Sequence, residues 1–246
     1  GYSLTATMLR DPTATGMREA LDHLMDRGVD AVVLITSQSA AVAAAQGLVP
    51  GVPVMCVGAP AAGMGAVAVD NVLGAQLATQ HLLDQGHESV LHLSGPPDWV
   101  ESSARLRGWR LALGAAGLPS PPPLTGDWSA RSGHLMGREV LSHRGLSAVF
   151  AANDPMALGL MLALHELGVR VPDDVAVVGY DDIPEAEFFT PPLTTVRQDF
   201  AELGRRLVAS LLGVLDEGVP GRAEVMVVPE LVVRRSSTGR YEPKLQ

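Results

Sequence analysis

Two adjacent carboxylates, Asp181 and Asp182, close the run VAVVGYDD (175–182), and Asn153-Asp154 follow the run SAVFAA. Ser94 stands in the same way near the end of SVLHLSG, ahead of Gly95-Pro96. Carboxylates accept hydrogen bonds and a carboxamide both donates and accepts, so polar residues at strand ends are the ones to examine as ligand contacts. One carboxylate of the 181–182 pair is expected to face a ligand and the other to bond nearby backbone amides. Asp154, followed by Pro155, reads as a helix N-cap with proline in the first turn, which leaves Asn153 freer to face a ligand. Trp128, in TGDWSARSG (125–133) after the loop GLPSPPP, is a large ring in a polar turn. Read locally it is a hydrophobic staple ahead of Ser129, the N-cap of the next helix.

Other chemistries find little support. Histidines at 23, 81, 87, 92, 134, 143 and 165 show no close helical spacing of a metal pair, and most read as surface or helix-end residues. No G-x-S-x-G elbow occurs, and the single cysteine, Cys56, has no evident base. GMGAVA (63–68) fits a loose G-x-G-x-x-A, but the following AVAVD looks extended where a dinucleotide site needs a helix. Asp181 and Asp182 lack the phosphate-cradling loop that accompanies magnesium chemistry. No catalytic residue, metal or cofactor is expected, and a binding protein fits better than an enzyme.

The elements that must position these residues alternate. AVVLI (31–35), VPVMCVG (52–58), SVLHLSG (89–95), SAVFAAN (147–153) and VAVVGYDD read as strands buried on both faces. Amphipathic segments between them stop at Gly28, Gly86, Gly117, Gly145 and Gly168, where a helix C-cap needs positive φ. This is a parallel, doubly wound α/β pattern, in which ligands bind beyond the carboxyl ends of the strands. The 246 residues are 47% hydrophobic and 18% charged, enough for a substantial core, and no apolar run reaches the roughly 18 residues of a membrane span. A net charge of −9 argues against these residues gripping a phosphate backbone. One cysteine and no leader suit a reducing, cytoplasmic setting.

Six ordered segments carry a resemblance. VDN…ATQHLLDQGH (69–87), SARLRGW (103–109), GDWSARSG (126–133), FAANDPMALG (150–159), VPDDVAVVGYDD (171–182) and PPLTTVRQDF (191–200) are similar to the effector-binding domain of the LacI (lactose repressor) family of bacterial transcription regulators, and the similarity continues to PELVVRRS (229–236). The resemblance implies two doubly wound α/β lobes of the periplasmic sugar-binding-protein type, joined by three crossovers, with an effector between them. One lobe would be 1–69 plus 199–227, the other 70–198 plus 228–236, with a tail at 237–246. Gly1 matches the start of the family's second strand, so the helix-turn-helix headpiece, hinge helix, and first strand and helix are absent from the expected fold.

The resemblance also implies a ligand set: Arg105, Trp128, Asn153, Asp181 and Gln198. Arg105 would fork onto two hydroxyls or a carboxylate, Trp128 would be a platform for a sugar ring, and Gln198 would lie at a hinge or cap the helix near Asp199. Trp109, at helical spacing with Leu106 and Leu113, belongs to a core. Gly58 stands where the lactose repressor has a sugar-recognising carboxylate, so the effector need not be a galactoside. The implied partners are a small-molecule effector, operator DNA reached through the headpiece, and a second copy of the chain. Met156, Leu158, Leu160, Met161, Leu162 and Leu164 cover more of helix 154–168 than one core needs, which supports a homodimer. The alternative is the monomeric sugar-binding protein of a transporter, which would carry an export signal.

Overall fold

A computed structural model describes residues 2–9, 13–45, 51–59, 64–143, 145–217 and 224–238. Of the tail expected at 237–246, residues 239–246 lie outside the described residues, as does Gly1. The chain forms two compact units: Gly1–Val69 with Asp98–Val100 and Asp199–Val227, and Asp70–Pro97 with Glu101–Gln198 and Val228–Gln246.

The first unit contains helix α1 (Ala14–Met25), strand β1 (Val32–Ile35), helix α2 (Ser39–Ala45), and strands β2 (Val54–Val57) and β3 (Gly65–Val69). The second runs through α3 (Asn71–Asp84), β4 (Val90–Ser94), α4 (Val100–Ala115), β5 (Leu124–Thr125), α5 (Ala130–Val140), β6 (Ala148–Ala151), α6 (Asp154–Glu166), β7 (Ala176–Asp181), a short 3-10 turn at Pro184–Phe188, and β8 (Thr194–Arg197). Helix α7 (Phe200–Glu217) and β9 (Glu224–Val227) return to the first unit, and β10 (Glu230–Val232) returns to the second.

Strands β1-β2-β3-β9 form a parallel sheet whose alternating side chains feed two cores. Cys56 and Ala66 pack with Met17, Ala41 and Ala45 of α1 and α2, while Met55, Val67 and Val69 face Leu203 of α7. The same division governs the second sheet, ordered β10-β8-β7-β6-β4-β5. Leu91, Leu93, Val149, Ala151 and Val177 meet Met156, Leu160 and Leu164 of α6 and Val140 of α5. On the other face, Val90, Ala148, Phe150, Val178 and Tyr180 meet Ala75, Ala78 and Leu82 of α3 and Trp109 and Leu113 of α4. Trp109 is fully buried and donates from Nε1 to the Val90 carbonyl, so the core position read from its helical spacing is the one observed. Strand β10 pairs antiparallel with β8, giving the otherwise parallel sheet one reversed edge.

The expected helix stops are present. Gly168 follows α6 with φ 74°, and the Val169 N–H reaches back to the Leu164 carbonyl at 2.9 Å, closing the last turn. The segment Gly65–Val69 is strand β3, so GMGAVA opens no helix and the dinucleotide reading falls.

Three expectations are corrected. Residues 2–9 form no strand, and Tyr2, Leu4 and Met8 are exposed. An alternating stretch becomes a strand only when a neighbour pairs with its backbone, and among the described residues none does; β1 is the edge of its sheet. For two of the seven histidines the surface or helix-end reading fails: His87 is buried against Ser147, and His92 lies fully inside the second unit. Its imidazole stacks on Phe150 at 4.7 Å and on Trp109 at 5.5 Å, and Nδ1 donates to the Phe150 carbonyl, which fixes the neutral tautomer. Burial depresses its pKa to about 4. Finally, Asp154 does not cap α6; Asn153 does, its Oδ1 accepting from Met156 N at 2.9 Å.

Candidate functional site

The carboxyl ends of β4, β6 and β7 gather the candidate residues within the second unit. Arg105, on α4, is buried: 5% of its surface is exposed. Nε donates to Asn71 Oδ1 at 2.9 Å, Nη1 donates to the Ala152 carbonyl, and Nη1 lies 3.5 Å from Asp181 Oδ1. The guanidinium lies over two rings, with Cζ 3.7 Å from the Tyr180 centroid and 5.7 Å from that of Trp128.

Asp181 ends β7 and accepts from Gln198 Nε2 at 2.7 Å. Its side chain keeps 25% of its surface, so the carboxylate retains an open side beyond its two protein partners. Burial pushes its pKa up, and Arg105 and then Gln198 pull it back. Gln198 therefore belongs to this cluster, and the helix cap it might have supplied comes from Asp199, which accepts from Glu202 N at 2.8 Å.

Asp182 turns away from this group, but not onto backbone amides as expected. It pairs with Arg197 at 2.6 Å and Arg234 at 2.7 Å, because β8 and the residues after β10 bring two guanidinium groups to that side of β7. Asp154 is completely buried. Its carboxylate accepts from Thr195 Oγ1 at 2.6 Å and Ile183 N at 2.9 Å, tying α6 to β8 and to the turn after β7. Gly179 leaves it room: a Cβ there would stand 2.3 Å from Asp154 Oδ1. Burial raises the Asp154 pKa to about 7 against both hydrogen bonds.

Trp128 is neither a free platform nor a simple staple. Its ring packs on the core shared by α5 and α6, and a Cβ at Gly95 would lie 2.2 Å from it, so Gly95 is the floor on which the ring rests. Ser129 caps α5, accepting from Ser132 N. Asn153 Nδ2 donates to the Trp128 carbonyl at 2.9 Å, and Asp127 accepts from Ser129 N at 2.9 Å. These bonds hold Trp128 at φ 72°, a conformation a bulky L-residue avoids. Among the described residues, the other non-glycine residues with positive φ are Asp181 and Asp182. Backbone held in such conformations collects at binding and catalytic sites.

All five residues from the sequence thus meet in one network: Asn153 to Trp128, Trp128 under Arg105, Arg105 and Gln198 to Asp181. Sequence reading missed Tyr180, Asn71 and the buried role of Asp154. Asn71 lies in the quoted VDN and Tyr180 in VVGYDD, so both were visible; what was lacking was the packing that makes an apolar strand residue the seat of a cation. No group of three or more histidine, cysteine or acidic side chains able to hold a metal is found among the described residues. No helix among them is long and apolar enough to cross a membrane.

Two parallel α/β units, with a carboxylate, a guanidinium, a carboxamide and an aromatic ring at the strand ends of one of them, define the periplasmic-binding-protein class of fold. The family model for a periplasmic binding protein-like domain matches residues 79–237. The ribose operon repressor of Escherichia coli (strain K12) is 37% identical over 227 residues, covering 90% of this chain and 69% of that protein. Among solved structures, the lac repressor dimer bound to operator and an anti-inducer superposes with a TM-score of 0.87 at 29% identity, covering 96% of this chain and 72% of that one. The complex of the transcriptional regulator CelR with cellobiose gives 0.78 at 33% identity, covering 90% and 70%. The chain belongs to the LacI family and is the effector-binding domain of a transcriptional regulator.

Proposed function

We propose that the second unit binds a small polyhydroxylated effector, a sugar, through Arg105, Trp128, Asn153, Asp181 and Gln198, and that the occupied state alters operator binding. The observation that carries this reading is the Arg105–Asp181–Gln198 cluster, whose carboxylate keeps an open side next to an aromatic ring. A partly open carboxylate, backed by a buried guanidinium and with a ring beside it, matches the polar edges and apolar face of a pyranose or furanose. That CelR is known as a cellobiose complex supports a sugar as the ligand class.

Operator DNA would be contacted by a helix-turn-helix headpiece outside these 246 residues, since the chain itself carries a charge of −9. The protein acts in the cytoplasm and performs no catalysis. It works as a homodimer through α6, where Leu158 and Leu162, one turn apart, are 43% and 51% exposed. An effector shifts operator affinity only by its difference in affinity for two arrangements, about 1.4 kcal/mol for each factor of ten. The test is calorimetric titration of the chain with D-ribose and with cellobiose. Saturable binding of either, weakened in Asp181→Ala, is expected; equal binding in the variant would remove the site from Asp181.

A further inference from the structure

The geometry points to Tyr180 as the residue that positions Arg105, seated in a notch that Gly74 leaves in α3. The ring is completely buried, and the Arg105 Cζ lies 3.7 Å from its centroid, much closer than to Trp128. A glycine inside a helix is ordinarily a poor choice beside alanine. Here a Cβ at Gly74 would stand 2.3 Å from the Tyr180 hydroxyl and 2.9 Å from the ring carbons Cε2 and Cζ, so glycine is what the phenol requires. The same turn of α3 carries Asn71, which accepts from Arg105 Nε. Ring, carboxamide and the Ala152 carbonyl thus fix both the plane and the edge of the guanidinium.

The consequence lies at Asp181. A free arginine closes onto a carboxylate at about 2.7–2.9 Å, often through two bonds. Arg105 is held at 3.5 Å through one nitrogen. Tyr180 therefore keeps the cation from collapsing onto Asp181, so that the carboxylate is left able to accept from a ligand. Burial raises the phenol to about 12, so the ring stays neutral.

The ligand arm of the test rests on the sugar-binding reading above; the other arm does not. In ¹⁵N-labelled chain, the Arg105 Nε–Hε resonance, assigned by its loss in Arg105→Lys, is expected at the high-field position produced by an aromatic face. It stays there in Tyr180→Phe and returns to the ordinary arginine position in Tyr180→Leu. Gly74→Ala displaces it, and Gly74→Ala combined with Tyr180→Phe restores part of the shift, a pair that decides the matter if Tyr180→Leu does not fold. D-ribose affinity falls about tenfold in Tyr180→Leu and stays within about twofold in Tyr180→Phe. A folded Tyr180→Leu with the resonance unmoved, or Gly74→Ala indistinguishable from wild type, would overturn the proposal. If neither D-ribose nor cellobiose binds wild type, the sugar reading falls, while the resonance still decides the role of Tyr180.

Discussion

Asn153 ties helix α6 to the turn at Trp128: its Oδ1 accepts from Met156 N and its Nδ2 donates to the Trp128 carbonyl, both at 2.9 Å. Asn153→Ala loses the cap and the clamp together, at a cost of about 1–3 kcal/mol in urea unfolding. Asn153→Asp keeps the cap and loses only the donor. It should retain most of the stability while the near-ultraviolet circular dichroism of Trp128 changes; an unchanged spectrum would mean that the turn holds itself.

Asp181→Asn separates the charge of Asp181 from its shape. The carboxamide can still meet Gln198 but gives Arg105 no anion, so sugar affinity should drop by about 1.5–3 kcal/mol, the range for a hydrogen bond to a charged group. Folding stability should change little, because burial already disfavours the ionised form. Titration calorimetry and thermal melting on the same sample check both halves.

Much of this arrangement was legible in the sequence, because strand ends and glycine stops depend on local chemistry. VAVVGYDD and SAVFAAN mark where a buried strand meets solvent, and Gly168 marks where α6 must stop. What stayed hidden depends on contacts between distant segments. Asp154 looked like a cap because Asp-Pro is a cap signature; the structure moves the cap one residue back, and Thr195, 41 positions away, meets the carboxylate. One carboxylate of the 181–182 pair was expected to bond backbone amides; Asp182 instead meets Arg234, 52 residues on, which nothing local announces. His92 looked like any other histidine until β4 placed it between Trp109 and Phe150.

Two buried groups give the fold opposed pH dependences. Asp154 titrates at about 7 in the folded chain against 3.8 ordinarily, so the folded state holds an extra proton between those values. Its contribution is full on the acid side and is lost as pH rises through 7. His92, lowered from 6.5 to about 4, lacks a proton that the unfolded chain binds, so its contribution is lost as pH falls through 6.5. Asp154→Asn removes the first and keeps the second. Between about pH 4.5 and 6.5 its Tm should climb with pH more steeply than that of the wild type. Parallel slopes in the two melting series would show that Asp154 titrates in the ordinary carboxylate range.

Gly95→Ala tests the floor beneath Trp128. The added Cβ would stand 2.2 Å from the ring, so the indole must move or the backbone must give, at about 1–3 kcal/mol. Sugar-induced quenching of tryptophan fluorescence should weaken in Gly95→Ala and disappear in Trp128→Phe. Quenching that survives in Trp128→Phe would belong to another tryptophan and would argue against a ring-facing role.

Leu158→Glu places a charge on the exposed stripe of α6 while leaving Met156, Leu160 and Leu164 in the core. Sedimentation velocity at micromolar concentration should give a dimer for the wild type and a monomer for the variant, with Tm unchanged within a few degrees. A wild-type monomer would refute self-association of these 246 residues.

Neither unit is contiguous in sequence. The first needs β9 beside β3, and the second needs β10 beside β8, with Ser236 donating to the Val177 carbonyl and accepting from Thr194 N. During synthesis, which adds about 5–20 residues per second, both sheets therefore wait for their last strand until residues 224–232 have left the ribosome. A nascent chain halted before Glu224 would carry two unfinished sheet edges at once.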